Sequence, residues 1–168
     1  MDTVQRVAAE GVAPRVIRLR PTLDPYFLTI AKIVSTRSTC SRRQVGCVLV
    51  DDRKHILATG YNGVAAGQPH CTDAPCEGAS FPSGQGLDSC QATHAEVNAL
   101  VQCRDVYSIR TAYCTTAPCV NCLKMLLSTS CKEIVFIEDY PHSMSKLMWE
   151  SAGRIWRKYD GILLKELI

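Results

Sequence analysis

Apolar residues recur along this chain at two spacings, one helical and one strand-like, and their alternation outlines the elements. After Asp24-Pro25, which suit an N-cap and a first-turn proline, Phe27, Leu28, Ala31, Ile33 and Val34 predict a helix running to about Ser38. Val45 to Asp51 is a nearly continuous apolar run, and His55 to Tyr61 follows it across the short polar turn Asp52-Arg53-Lys54, so a strand hairpin is expected. Thr93 to Cys103 reads as a helix with Val97, Leu100 and Val101 on its buried face and Thr93 as its cap. Arg110 to Thr116 reads as a strand that leads into a helix opened by Pro118. A strand at Glu133 to Glu138, a helix at Ser143 to Ala152 carrying Leu147, Met148 and Trp149, and a strand at Gly161 to Leu167 complete the pattern. Strands alternating with helices after a hairpin imply an α/β fold, a mixed five-stranded sheet covered on both faces. Ligands in such sheets sit beyond the strand ends.

Two segments fall outside this periodicity. Residues 1–23 are arginine-rich without an aromatic residue, and Gly11, Pro14 and Pro21 interrupt them, so they read as an extension ahead of one domain at 24–168. A nucleic-acid arm or a transit peptide is also basic, but Asp2 and Glu10 dilute the charge, and a solvated tail or an oligomer strap is the simpler reading. The stretch from Asn62 to Ala92 is rich in Gly, Pro, Ser and Cys and has no hydrophobic period. A loop of that length inside one domain is usually functional or pinned.

The 168 residues are enough for one domain with a real core, and 46% hydrophobic with 21% charged residues describes a soluble globular chain. A formal net charge of +3 is too weak to argue a nucleic-acid partner. No stretch approaches the roughly 20 apolar residues that span a bilayer. Ten cysteines without an apolar secretory leader point to a reducing, cytoplasmic setting in which thiols serve metal or core.

The chemistry concentrates in His94-Ala95-Glu96 and Pro118-Cys119-Val120-Asn121-Cys122. One imidazole and two thiolates make the three-ligand set of a catalytic zinc, which keeps its fourth position open. Cys119 and Cys122, three apart at a helix N-terminus after Pro118, would face one ion, and the helix dipole there favours thiolate. His94 would sit in the first turn of its own helix. Glu96 supplies the proton carrier such chemistry needs, and His-x-Glu with Pro-Cys-x-x-Cys is the established signature of zinc deaminases. A closed structural zinc site with a distant fourth ligand is the competing reading, and Glu96 argues against it.

Cys40, Cys71, Cys76 and Cys90 form a second set, whose four thiolates would make a closed structural zinc that orders the long loop, with His70 a possible substitute. Scattered reduced cysteines, or a disulfide, are the other readings. Cys47, Cys103, Cys114 and Cys131 lie in strand or helix contexts and read as small core residues.

Beyond the zinc residues, Val45-Gly46-Cys47, Gly60-Tyr61-Asn62-Gly63 with Gly67 behind it, His94 to Ala99 and Ala117 to Cys122 occur in a telling order. From about Tyr26 to its end the chain resembles the deoxycytidylate (dCMP) deaminases of the cytidine deaminase superfamily. It departs from them at Ala65, where a proline is usual, and in a longer loop between Cys76 and Cys90. The resemblance implies a three-layer α/β/α cytidine-deaminase-like fold and hydrolysis of dCMP to dUMP and ammonia, which supplies thymidylate synthesis. Glu96 would shuttle the proton, with Asn62, Ala95 and Tyr140 at the sugar and base and Arg37, Ser38 and Arg42 at the phosphate. The four-cysteine set matches that of bacterial and viral relatives. The resemblance also implies a homo-oligomer, often a hexamer, activated by dCTP and inhibited by dTTP with Mg2+ as their counter-ion, the effector lying near Gly60, Gly63 and Gly67. Other substrates within the superfamily, free cytidine or adenosine in tRNA, and a zinc-stabilised binding module without activity are the alternatives.

Overall fold

Every position of β1 (Gly46–Val50) is buried, and so is every position of β5 (Thr111–Thr116), because these strands are covered on both faces. The computed structural model describes residues 20–82, 84–141 and 143–164. They form, in order, α1 (Leu23–Ser35), β1, β2 (Ile56–Tyr61), β3 (Gly63–Val64), β4 (Ala92–Thr93), α2 (Ala95–Gln102), β5, α3 (Val120–Leu127), β6 (Glu133–Glu138), α4 (Met144–Ser151) and β7 (Ile155–Lys158). The main sheet runs β2-β1-β5-β6-β7, with β1 antiparallel to β2 and β5, and the β5-β6-β7 half parallel. β3 and β4 make a separate two-stranded ribbon across the long loop.

Period-two alternation divides the strand side chains between two cores. Cys47, Leu49, Ala112, Cys114, Ile134 and Phe136 face α2, α3 and α4, meeting Leu100, Leu123, Leu126 and Trp149. Val48, Val50, Tyr113 and Val135 face α1 through Phe27, Leu28 and Ala31. The arrangement is therefore three layers, α1 on one side and the remaining helices on the other. Cys47, Cys103, Cys114 and Cys131 are all buried in the first core.

Two glycines let the helices approach the hairpin. A Cβ at Gly46 would lie 2.0 Å from the Ala31 carbonyl oxygen of α1, and one at Gly60 would lie 2.2 Å from the Ala95 oxygen and 2.3 Å from the Ala99 nitrogen of α2. The second contact seats α2, the helix that carries the candidate proton shuttle. Across the sheet, Arg157 on β7 pairs with both Asp24 of α1 and Glu133 of β6. Arg154 donates to the Leu126, Leu127 and Thr129 carbonyls, closing the C-terminal end of α3, and stacks over Trp149.

The structure corrects several expected boundaries. α1 is capped at Thr22 and ends at Ser35, so Asp24 lies inside the first turn, where Arg157 takes its carboxylate. The final strand is Ile155–Lys158 and not the apolar run from Gly161, whose described residues 161–164 form no strand. The rest of that run and most of the expected 1–23 extension lie outside the described residues. No helix among the described residues is long and apolar enough to cross a membrane.

Candidate active site

His94 and Cys119 are both N-caps, of α2 and α3, and neither lies within a helical turn as the sequence implied. Each keeps extended backbone angles while its carbonyl accepts the first helical hydrogen bond, from Asn98 N–H at 3.0 Å and from Leu123 N–H at 2.9 Å. Pro118 thus precedes the cap and does not open the helix. The result is that two helix N-termini point at one spot, with Cys122 one turn into α3 beside it.

His94 Nδ1 lies 3.4 Å from Cys119 Sγ and 3.3 Å from Cys122 Sγ. Tetrahedral bonds of zinc length to nitrogen and sulfur put such atoms about 3.5 Å apart, so the donor set and its spacing fit zinc. Among the described residues this is the group of three whose ligand atoms all lie within 4.8 Å of one another. A hydrogen bond from Cys122, then His94, pulls the Cys119 thiol down to about 4, while Cys122 is pushed up by the same bond and by burial. A cation between the two sulfurs would favour thiolate on both.

Glu96, in the first turn of α2, is only 3% exposed. Burial pushes its carboxyl above the ordinary range, with the neighbouring His94 pulling the other way. A buried carboxyl with its proton affinity raised in this way suits the role of a proton carrier.

His94, Glu96 and Cys119 line an open cleft. Val45, Ala92, Ala95 and Ala117 give it apolar walls, and Asn62, Thr116 and Tyr140 add polar groups. Arg42 and Arg43 lie on it too. Asn62 is primarily a clamp: its Oδ1 accepts from Val45 N–H at 2.7 Å and its Nδ2 donates to the Arg43 carbonyl at 2.8 Å. Asn98, part of the His94 to Ala99 motif but given no role by the sequence, ties α2 to β2 by donating to the Tyr61 carbonyl at 2.7 Å.

Other expected site residues are placed elsewhere. Arg37 is exposed and does not line the cleft, and Ser38 is buried with its Oγ accepting the Cys40 N–H. Gly60 packs directly against the α2 backbone, and Gly63 pairs with Thr93 in the ribbon. Gly67 occupies an exposed left-handed turn, φ 84°. Of the second cysteine set, Cys71 and Cys76 have sulfurs 3.9 Å apart, near the separation of two ligands on one zinc. Hydrogen bonds from Ser41 lower the Cys71 thiol to about 7. Cys40 and Cys90 line the cleft nearby, but no three of the four bring all their sulfurs within 4.8 Å. His70 is exposed with its Nδ1 engaged by Thr39.

Residues 21–138 match the family model described as the cytidine and deoxycytidylate deaminase zinc-binding region. The chain belongs to this family. Within the family it is 37% identical over 149 residues to a deoxycytidylate deaminase of Schizosaccharomyces pombe, covering 84% of this chain and 45% of that protein. It is 37% identical over 126 residues to the deoxycytidylate deaminase of Mycobacterium phage D29, covering 71% of this chain and 98% of the phage protein. The chain therefore spans less than half the length of the yeast relative and nearly all of the viral one. The fold matches that of the dCMP deaminase of cyanophage S-TIM5 crystallised with dCMP and dUMP, at TM-score 0.65 and 23% identity over 84% of this chain and 100% of that one.

Proposed function

We propose that this chain hydrolyses dCMP to dUMP and ammonia, with zinc held by His94, Cys119 and Cys122. The observation that carries the reading is the buried Glu96 carboxyl beside a three-ligand zinc set in an open cleft. When bound, zinc supplies the Lewis acidity that makes water a nucleophile near neutral pH. Glu96 takes a proton from the attacking water and delivers it to cytosine N3, then moves the second to the departing amine. Water oxygen becomes O4, one water proton ends on N3 and the other on ammonia. Asn62, Ala95 and Tyr140 border the space for sugar and base. The deoxycytidylate deaminases among its relatives support the substrate, and supply of dUMP for thymidylate is the metabolic setting that follows. None of the ten cysteines is paired in a disulfide, in keeping with a reducing cytoplasmic compartment.

Ammonia release should be compared across dCMP, deoxycytidine and an adenosine-bearing tRNA stem-loop, with the protein zinc-loaded. The expected order puts dCMP first. Preference for either other substrate would replace this reading with that of a sister deaminase, and no turnover of any would leave a zinc-stabilised binding module.

A second, structural zinc on Cys40, Cys71, Cys76 and Cys90 belongs to the same proposal. The 3.9 Å Cys71–Cys76 separation and the lowered Cys71 thiol support it, with Cys40 and Cys90 closing on the ion as it binds. Metal analysis is expected to find two zinc per chain, and Cys76→Ser to remove one, lowering Tm while dCMP turnover persists below it. One zinc in the fully active wild-type protein would eliminate the site.

Control by dCTP and dTTP, with Mg2+, in a hexamer extends the reading by likeness to the family. Gly67, in its open turn, leaves room for close backbone approach by a triphosphate. The expected result is a sigmoidal dCMP saturation curve that dCTP makes hyperbolic and dTTP makes steeper. A hyperbola insensitive to both would mean that the control is absent.

A further inference from the structure

Three arginines follow α1, and they end in different situations. Arg37 is exposed away from the cleft. Arg42 lines the cleft, but its Nη1 donates to the carbonyls of Gly78 at 2.8 Å, Gln85 at 3.0 Å and Phe81 at 3.3 Å. That nitrogen is spent on holding the loop between Cys76 and Cys90. Arg43 also lines the cleft, and its Nη1 is buried with no hydrogen-bond partner. Its anionic neighbour is Glu138, 3.7 Å from Nη2 and beyond hydrogen-bond reach.

A buried guanidinium N–H without an acceptor is unfavourable unless something completes it. Arg43 lines the same cleft as Glu96. The base of the side chain is fixed as well, since Asn62 Nδ2 holds the Arg43 carbonyl. A phosphate presents several anionic oxygens to the planar fork of an arginine, and it can satisfy Nη1 and Nη2 together. Glu138, more than half exposed, holds the guanidinium only loosely, so a dianion can outcompete it.

We infer that Arg43 reads the 5′-phosphate of the nucleotide and so sets the preference for nucleotide over nucleoside. The inference deepens the dCMP reading and rests on it. Arg42 then acts on the phosphate indirectly, as a brace for the loop.

The test uses the zinc-loaded full chain with two pairs of ligands. Steady-state kinetics give the ratio of kcat/KM for dCMP to that for deoxycytidine, and calorimetry gives the ratio of dUMP to deoxyuridine affinity. Arg43→Gln is expected to lower both ratios about 10- to 100-fold, through KM and not kcat, and Arg43→Lys to restore part of the loss. Equal losses on both members of each pair, or unchanged ratios, would overturn the inference by making Arg43 structural. If the wild-type protein turned over neither dCMP nor deoxycytidine, the proposed reaction would fail by itself. The calorimetric ratio would still judge the subsite: a dUMP preference lost in Arg43→Gln supports it, and no preference in the wild type overturns it.

Discussion

Glu96→Gln is expected to keep its zinc at His94, Cys119 and Cys122 while dCMP turnover falls roughly a thousandfold or more, the upper range for losing a positioned proton carrier. The amide fills the same space in the first turn of α2 but accepts no proton from water and returns none to N3. Nothing in the metal set changes, since the three donors that lie together are His94, Cys119 and Cys122. The stability of the metal-free protein should move the other way or not at all. Burial raises the Glu96 carboxyl in the folded state, so the group binds its proton more tightly there than in the unfolded chain. Such a group costs stability progressively as pH rises above its unfolded value, and the neutral amide is spared that cost. Metal analysis, turnover and a melting curve on one preparation check all three parts. Turnover within tenfold of the wild type would remove Glu96 from the reaction.

Cys119→Ala is expected to lose both one zinc per chain and the activity. Changes to groups that merely orient a metal ligand cost 10- to 100-fold, so removing a ligand should exceed about a hundredfold. Cys122→Ala should match it, because each cysteine supplies one corner of the site and their separations from Nδ1, 3.4 and 3.3 Å, are equivalent. The loss should leave the fold intact at moderate temperature: Cys119 caps α3 through its carbonyl, not its side chain, and alanine keeps that bond. Metal content and circular dichroism separate the two effects. A variant that retained its zinc would show that the ion is held elsewhere.

The zinc set was legible in the sequence because ligand chemistry is local: a His-x-Glu and a Pro-Cys-x-x-Cys each carry their own spacing. Their placement at helix caps was not, since a proline before a cap and a proline in the first turn look alike in one dimension. The buried strands announced themselves as apolar runs. β7 did not, because Ile155-Trp156-Arg157-Lys158 is an edge strand with no fully buried residue, and half of it is cationic. The more apolar run from Gly161 drew the assignment instead. For the arginines, adjacency concealed opposite fates. Arg42 is taken up by three carbonyls 36 to 43 residues away, in a loop without any period to place it. The glycine at position 60 carries a similar lesson, since its missing side chain is explained by the α2 backbone and not by a ligand.

The most direct measurement is metal add-back: strip the protein with a chelator, restore zinc in steps, and follow dUMP and ammonia formed from dCMP. The expected result is no turnover in the stripped protein, then equal amounts of dUMP and ammonia at a rate that rises with occupancy of the His94, Cys119 and Cys122 site and saturates when it is full. A stripped protein that still deaminates dCMP, or a fully loaded one that never does, would contradict the account.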